Sequence, residues 1–309
     1  MQNTASITKS SASDMPRKVL FIVNPNAGKK ISEQIIGLIR KEFPQNMYYQ
    51  IVVWKDKNHF DEITELLKTQ GYTDAVAVGG DGTVNQVAKS IVNTGIALGI
   101  LPVGSGNGLA RTLGISMNLQ EAVQQVVKGQ TTSLDAGEVN GRFFFCTSGV
   151  GFDAHIGQLF ATSKKRGLQS YVKITLSRLL AYRAEEYTLS INGEEIQRKA
   201  FLITVANAGQ YGNDFYIAPE AKVNDGKFHV AILKPFSILS VWSILLHILR
   251  KKAHHSNYIE TFVTNQLVVR RKQDGAIHYD GEPANETKEL QYSLMASCLK
   301  AITGPSFQA

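Results

Sequence analysis

The 309-residue sequence predicts an α/β domain built on a parallel sheet, followed by a mostly antiparallel β domain. Three observations carry this expectation. Apolar runs of strand length alternate with helical patterns through the first half. Near Leu134 the pattern changes to short β-like segments separated by turn dipeptides. The length itself suits two domains better than one.

The elements of the first half follow in order. Lys18 to Val23 (KVLFIV) reads as a buried strand ending in the loop Asn24-Pro25-Asn26-Ala27-Gly28. A helical pattern runs from Ile31 to Phe43, a strand from Tyr48 to Trp54, and a helix from Phe60 to Thr69. Asp74 to Val78 is a short apolar strand that runs into a glycine-rich turn, then a helix from Val84 to Val92. Ala97 to Leu101 is the next strand, followed by a second glycine-rich loop and a helix near Leu109. Apolar strands linked by helices mean βαβ units, with helices on both faces of the sheet.

In the second half, strands are expected at Arg142 to Thr147, Tyr187 to Ile191, Ala200 to Asn207, Lys227 to Leu233, Gln266 to Arg270 and Leu290 to Ala296. Asn192-Gly193 and Asp225-Gly226 are turn signals. Two basic helical segments interrupt them, Lys164 to Arg183 and Ile238 to His255. The expected divisions are a loose tail over 1–16, an α/β domain over 17–133, a β-rich domain over 134–296, and a segment over 297–309 that returns to the first domain.

Composition bounds the function. Hydrophobic residues make up 43% and charged residues 19%, enough to bury a core. Cys146 and Cys298 stand alone, so neither a disulfide framework nor a cysteine zinc site is expected, which fits a reducing cytosol. The polar stretch from Met1 to Met15 lacks the apolar segment of a secretory signal. Phe236 to Leu249 is the longest apolar run, short of the roughly 20 residues that a spanning helix needs. Net charge is +7, which favours anionic partners without choosing among nucleotides, membranes and nucleic acid.

Chemistry concentrates in three loops that follow three strands: Asn24 to Lys29 (NPNAGK), Gly79 to Asn85 (GGDGTVN) and Pro102 to Gly108 (PVGSGNG). In an open α/β sheet, such loops form the ligand crevice. Glycines let backbone N–H groups approach a phosphate, and the helix N-termini that follow add partial positive charge. Asp81 sits oddly among phosphate-binding turns unless a cation such as Mg²⁺ intervenes. Its alternative role is to cap a helix or close an Asx-turn. Neither a Walker loop nor a Rossmann fingerprint is present.

Together these motifs resemble the diacylglycerol kinase catalytic-domain family, which includes bacterial lipid kinases, sphingosine kinases and ceramide kinases. The resemblance runs from NPNAG at Asn24 through GGDGTVNQV at Gly79 and PVGSGNGLART at Pro102. It continues through GVGFD at Gly149, NAGQYG at Asn207 and PEAKVNDGKFHV at Pro219, and ends at DGEP from Asp280. It implies a fold of the NAD kinase and diacylglycerol kinase type. It also implies an ATP-dependent lipid kinase that uses Mg²⁺, acts in phospholipid biosynthesis, and sits in the cytoplasm, peripheral at the inner membrane surface. Gly79, Gly80, Gly82 and Thr83 would hold the ATP phosphates, with Asp81 catalytic and organising Mg²⁺. Asn24, Pro25, Gly28, Gly104, Ser105, Gly106 and Asn107 would complete the nucleotide site. Glu282 would be the general base that takes the proton of the lipid hydroxyl. On its own residues, Glu282 reads as a solvated hairpin acid.

Two departures bear on these roles. Some bacterial members hold a structural Mg²⁺ near Asn224-Asp225-Gly226, making Asp225 a candidate metal ligand, but Asn224 stands where a second acid is common. Gly108 replaces an Asp found in many bacterial diacylglycerol kinases, and the loop is closer to the sphingosine and ceramide kinase style. Diacylglycerol and sphingoid-type acceptors both stay open. NAD kinases and phosphofructokinases share GGDGT, but the GSGN loop and the late DGEP argue against both. Phosphorylation of a soluble nucleotide and a non-catalytic nucleotide-binding regulator are the alternatives. No recognised motif supports nucleic-acid binding. A basic helical segment meeting an anionic membrane is expected, and an exposed edge strand leaves a homodimer open.

Overall fold

A computed structural model describes residues 16–25, 29–162, 168–179, 181–212 and 215–308. The first half runs β1 (Lys18–Val23), α1 (Lys29–Glu42), β2 (Tyr48–Val53), α2 (Lys57–Thr69), β3 (Asp74–Gly79), α3 (Asp81–Ile91), β4 (Ala97–Pro102), α4 (Gly108–Thr112) and α5 (Leu119–Lys128). β3 and β4 are buried along their whole length, and β1 is buried after its first residue. That is the signature of strands covered on both faces. β2, β1, β3 and β4 pair in parallel. β2 lies at the edge and is half exposed.

The helices cover this sheet through apolar residues at helical spacing. Ile35 and Ile39 of α1, Phe60, Ile63 and Leu67 of α2, Val87 and Ile91 of α3, and Val123 and Val126 of α5 share one buried cluster with the strands. α2 starts three residues before its first apolar anchor, because the Asp56 side chain accepts the His59 amide and caps the helix.

The second half runs β5 (Thr131–Val139), β6 (Arg142–Phe144), β7 (Thr147–Gly151), α6 (Phe152–Thr162), α7 (Leu168–Leu179), β8 (Glu185–Ile191), β9 (Glu194–Ala200), β10 (Leu202–Ala206), β11 (Phe228–Leu233), α8 (Val241–Leu249), β12 (Ile259–Thr264), β13 (Gln266–Arg271), β14 (Gly275–Tyr279), β15 (Glu282–Glu286) and β16 (Glu289–Ile302). An antiparallel sheet has the order β12-β11-β10-β7-β14-β15. The first sheet continues beyond β4 as β16-β13-β8-β9, with β5 along β16 and β6 beside β5.

β16 joins the two halves. Its early part pairs antiparallel with β13, while Lys300 and Ala301 pair in parallel with Ala97 and Leu98 of β4. A register shift between Met295 and Leu299 marks the change of neighbours. There Ser297 has φ 51, and its amide is held by the buried Asp135 carboxylate at 2.7 Å.

The two sheets face each other across a core containing Phe144, Val150, Leu189, Val205, Phe228, Leu267 and Leu290. Alternate residues of β10 and β11, such as Ala206 and Ala231, face the other way. There they join Phe152 and Ile156 of α6 and Ile244 and Ile248 of α8.

Several elements differ from expectation for identifiable reasons. Arg142 to Thr147 is two strands, because the amides of Phe145, Cys146 and Thr147 bind a carboxylate instead of a neighbouring strand. β9 is an exposed edge strand whose polar sequence hides its type. α6 stands where the sequence pattern assigns no element, and the basic segment after it is α7, with 163–167 and 180 outside the described residues. The segment from Ile238 to His255 is α8 flanked by two short 3₁₀ turns. The tail from Met1 to Met15 lies outside the described residues. Among the described residues, no helix is long and apolar enough to cross a membrane.

Arg17 ties the start of β1 to the rest of the first half. It donates to both oxygens of the buried Asp74 at 3.1 and 2.8 Å, and to the carbonyls of Val126 and Val127 near the end of α5. Arg17→Ala removes the charge partner of a buried carboxylate. It should lower the unfolding free energy by about 3 kcal/mol, read as a lower denaturant midpoint.

Candidate active site

The loops after β1, β3 and β4 meet at the carboxyl ends of the parallel strands, as expected for a ligand crevice. The Asn24 side chain donates to Thr83 Oγ1 at 2.8 Å, joining the first loop to the second. Pro25 follows, half-buried, while Gly28 lies outside the described residues. Gly79 has no room for a Cβ, because Thr83 covers it. Gly80 and Gly104 face each other backbone to backbone: a Cβ on Gly104 would lie 2.6 Å from the Gly80 Cα. A side chain at either position would push the second and third loops apart.

Asp81 locks the third loop in place. Its Oδ2 accepts the Asn107 amide at 2.9 Å and its Oδ1 accepts the Gly108 amide at 2.7 Å. The carboxylate thus satisfies backbone donors where α4 begins, the capping role that its residue type allows. A Cβ on Gly106 would lie 2.7 Å from Asp81 Oδ2, so this contact requires glycine. Asn107 adopts φ 54, and its side chain closes the loop on itself through Gly104 N and O at 3.0 and 2.7 Å. Ser105 is exposed and lines the cleft. Burial pushes the Asp81 carboxyl above its usual range, the two amides oppose this, and the nearby Asp280 charge adds to the rise.

The second half contributes one hairpin turn. β14 and β15 are joined by Asp280 and Gly281, both at positive φ (51 and 85), the geometry of an Asp-Gly type I′ turn. The Asp280 carboxylate points inward and is fully engaged. Oδ1 accepts the Cys146 and Thr147 amides at 2.7 and 3.0 Å. Oδ2 accepts the Phe145 amide at 2.9 Å and the side chain of Asn85 in α3 at 2.7 Å. Burial raises the Asp280 pKa, and these four donors oppose the rise.

Glu282 follows immediately. A Cβ built on Gly82 would lie 2.6 Å from Glu282 Oε1. The structure therefore brings Glu282 against the Gly79–Thr83 loop, although about two hundred positions separate them in the chain. Pro283, next in line, lies near Gly157 of α6, where an added Cβ would be 3.6 Å from it.

A single cavity of about 1610 Å³ runs through the site. Its polar end is lined by Asn24, Gly80, Asp81, Gly82, Thr83, Gly104 and Ser105, with Lys89 and Arg142 nearby. Asp280, Gly281 and Glu282 line its middle. Its far end is apolar, lined by Ile156, Phe160, Leu179, Phe201, Phe215, Phe236, Leu245 and Ile248. A polar cluster marks the floor: Asp153 Oδ2 accepts from the Tyr211 hydroxyl at 3.0 Å and lies 3.1 Å from His278 Nε2. Cys146 also lines the cavity, but burial raises its thiol pKa well above normal, so it is a poor nucleophile.

Asp225 lies elsewhere. Its Oδ1 accepts the Lys227 amide within its own turn at 3.1 Å, and its Oδ2 lies 3.6 Å from His229. Among the described residues, no group of three or more His, Cys, Asp or Glu side chains could hold a metal ion.

Asn85 and Asp280 belong to recognisable motifs, yet no local pattern reveals that they bind each other. The one available signal is the Asp-Gly dipeptide, which marks a turn whose Asp is free to hydrogen-bond backbone.

Comparison with known proteins agrees with this arrangement. The family described as "Diacylglycerol kinase catalytic domain" matches residues 18–139, and "YegS C-terminal NAD kinase beta sandwich-like domain" matches residues 147–302. A "Diacylglycerol kinase" of Bacillus subtilis is 25% identical over 275 residues, 86% of this chain and 90% of that protein. A "Probable lipid kinase YegS-like" protein of Klebsiella pneumoniae is 27% identical over 300 residues, covering 95% and 98%. The crystal structure of a diacylglycerol kinase from Bacillus anthracis superposes with a TM-score of 0.73 at 21% identity, covering 94% of this chain and 98% of that one. Yeast NADH kinase shares the fold at a TM-score of 0.53 and 11% identity, covering 94% and 84%.

Asp280→Asn keeps the side chain's shape but turns an NH₂ toward amide donors. It should lower the unfolding free energy by about 2 kcal/mol and speed hydrogen exchange at the amides of Phe145, Cys146 and Thr147.

Proposed function

The chain belongs to the diacylglycerol kinase catalytic-domain family that carries a YegS-type C-terminal β-sandwich, and from this we propose that it transfers the γ-phosphate of ATP to a hydroxyl of a membrane lipid. The observation that carries this reading is the single cavity with two chemical ends. Glycine loops at a helix N-terminus suit phosphates. The apolar end suits hydrocarbon chains. Glu282 stands between them.

The chemistry follows from these positions. ATP binds with its phosphates along Gly80, Gly82 and Thr83, where the amides at the start of α3 face added negative charge. Asn24 and the loop from Gly104 to Asn107 hold the adjoining walls. The lipid hydroxyl approaches from the apolar end. Glu282 accepts its proton as the oxygen forms a bond to the γ-phosphorus. The bond from that phosphorus to the bridging oxygen breaks, and ADP leaves with the electron pair.

The residues fit Mg²⁺ only in a particular way. Asp81 is a buried carboxylate whose proton affinity is raised by burial and by the nearby Asp280 charge, so a cation beside it is favourable. Asp81 already accepts two amides, and no cage of protein ligands surrounds it. Mg²⁺ would therefore arrive with the nucleotide, held by phosphates and waters with Asp81 beside it, and would neutralise phosphate charge.

The two alternatives are weaker. A soluble nucleotide acceptor leaves the apolar wall from Ile156 to Ile248 without a purpose, although yeast NADH kinase shares the fold. A non-catalytic regulator does not require a carboxylate held against the phosphate loop.

The test is a panel of diacylglycerol, phosphatidylglycerol and sphingoid bases with labelled ATP and Mg²⁺. Label is expected in the organic phase, and mass spectrometry should identify a phosphorylated lipid. Label that stays in soluble nucleotide would refute the lipid acceptor. Glu282→Gln should lower kcat by about 10²- to 10⁴-fold while ATP binding persists. Unchanged turnover would remove Glu282 from its role.

A further inference from the structure

The helix α8 is apolar apart from one flank, where Ser243 and His247 lie a turn apart. Its sequence from Val241 to Leu249 is VWSILLHIL. Such a helix is normally buried all round or lies in a membrane. Here only one face is covered. Ile244 and Ile248 are buried, and Val241, Ile244, Leu245 and Ile248 line the cavity. The opposite face is bare: Leu239 in the preceding 3₁₀ turn is 86% exposed and Trp242 is 76% exposed, with Leu246 and Leu249 beside them.

The exposed large apolar side chains of the described residues concentrate here. Ile238 extends the patch, and Leu176 of α7 is 62% exposed while also lining the cavity. The cavity therefore reaches the surface at the helices that carry this patch.

The surrounding charge is mainly positive. Arg250, Lys251 and Lys252 follow α8 and are exposed. Lys173 and Arg178 of α7 are exposed as well. No Asp or Glu occurs between Lys234 and Ile259, and none between Asp153 and Glu185. Glu220, paired with His254 beside the helix, is the acid at this edge. An apolar face bordered mainly by cations matches an anionic lipid surface, with a tryptophan suited to the interface. A second copy of this chain fits poorly, because an isologous contact would bring the cationic clusters together.

We propose that α8 and the turn before it form the edge that inserts into an anionic bilayer, so that acyl chains pass from the membrane into the cavity along this helix. The proposal rests on the lipid acceptor argued above and adds the route by which it arrives. The inner face of α8 holds the chain end while the outer face holds the membrane.

The test is co-sedimentation of the full chain with vesicles of equal parts phosphatidylcholine and phosphatidylglycerol, and with pure phosphatidylcholine. Binding is read without turnover, so its outcome is separate from that of the kinase assay. Leu239→Glu with Trp242→Glu should lower the vesicle-bound fraction by about tenfold. Arg250→Glu with Lys252→Glu should remove most of the preference for the anionic vesicles. Light scattering should give the same mass for all three proteins. If the apolar pair fails to fold, the charge pair carries the test, since both of its positions are exposed. Three results overturn the proposal: no vesicle binding by the unaltered protein, binding unchanged in the variants, or a lower oligomeric mass in the apolar pair.

Discussion

The buried carboxylate of Asp280 organises the active site. Its two oxygens accept three consecutive backbone amides from the second half of the chain and one side-chain amide from α3 in the first half. A carboxylate removed from water is costly unless its lone pairs are filled. Here they are filled by donors on both sides of the cleft. The same residue opens the hairpin turn that delivers Glu282. A single side chain therefore fixes the relative position of α3, the β6–β7 connection and the candidate base.

Close approach explains the glycines of the site's loops. Gly80 and Gly104 allow two loops to touch, Gly106 makes room for the Asp81 carboxylate, and Gly82 makes room for Glu282. The glycines serve the packing of the site as much as any approach to phosphate. Asp81 and Asp280 act alike, each holding backbone amides of a loop that would otherwise be free. Between these two anchors lies the junction where the polar end of the cavity meets the apolar end.

The parallel sheet was legible because its strands are continuous apolar runs, a pattern that depends only on neighbours in sequence. The three loops were legible for the same reason. Edge strands such as β9 were not, because half of their surface faces water and their residues are polar. The break between β6 and β7 depends on a carboxylate more than a hundred positions away, which no local period encodes. Glu282 illustrates both sides. By its residues it is a hairpin acid, and it does begin a hairpin strand after an Asp-Gly turn. Its placement against Gly82 comes from tertiary structure, and only the family resemblance pointed to it beforehand. The apolar residues of α8 were visible, but sequence alone could not tell which face they cover.

The most direct measurement of the central claim is a double-mutant cycle on kcat with Asn85→Ala and Glu282→Gln. If Asn85 acts by holding Asp280, and through it Glu282, then Asn85→Ala alone should lower kcat by about tenfold. In the Glu282→Gln background the same change should cost little more. Losses that multiply independently would contradict the account, because Asn85 and Glu282 would then act through separate parts of the site.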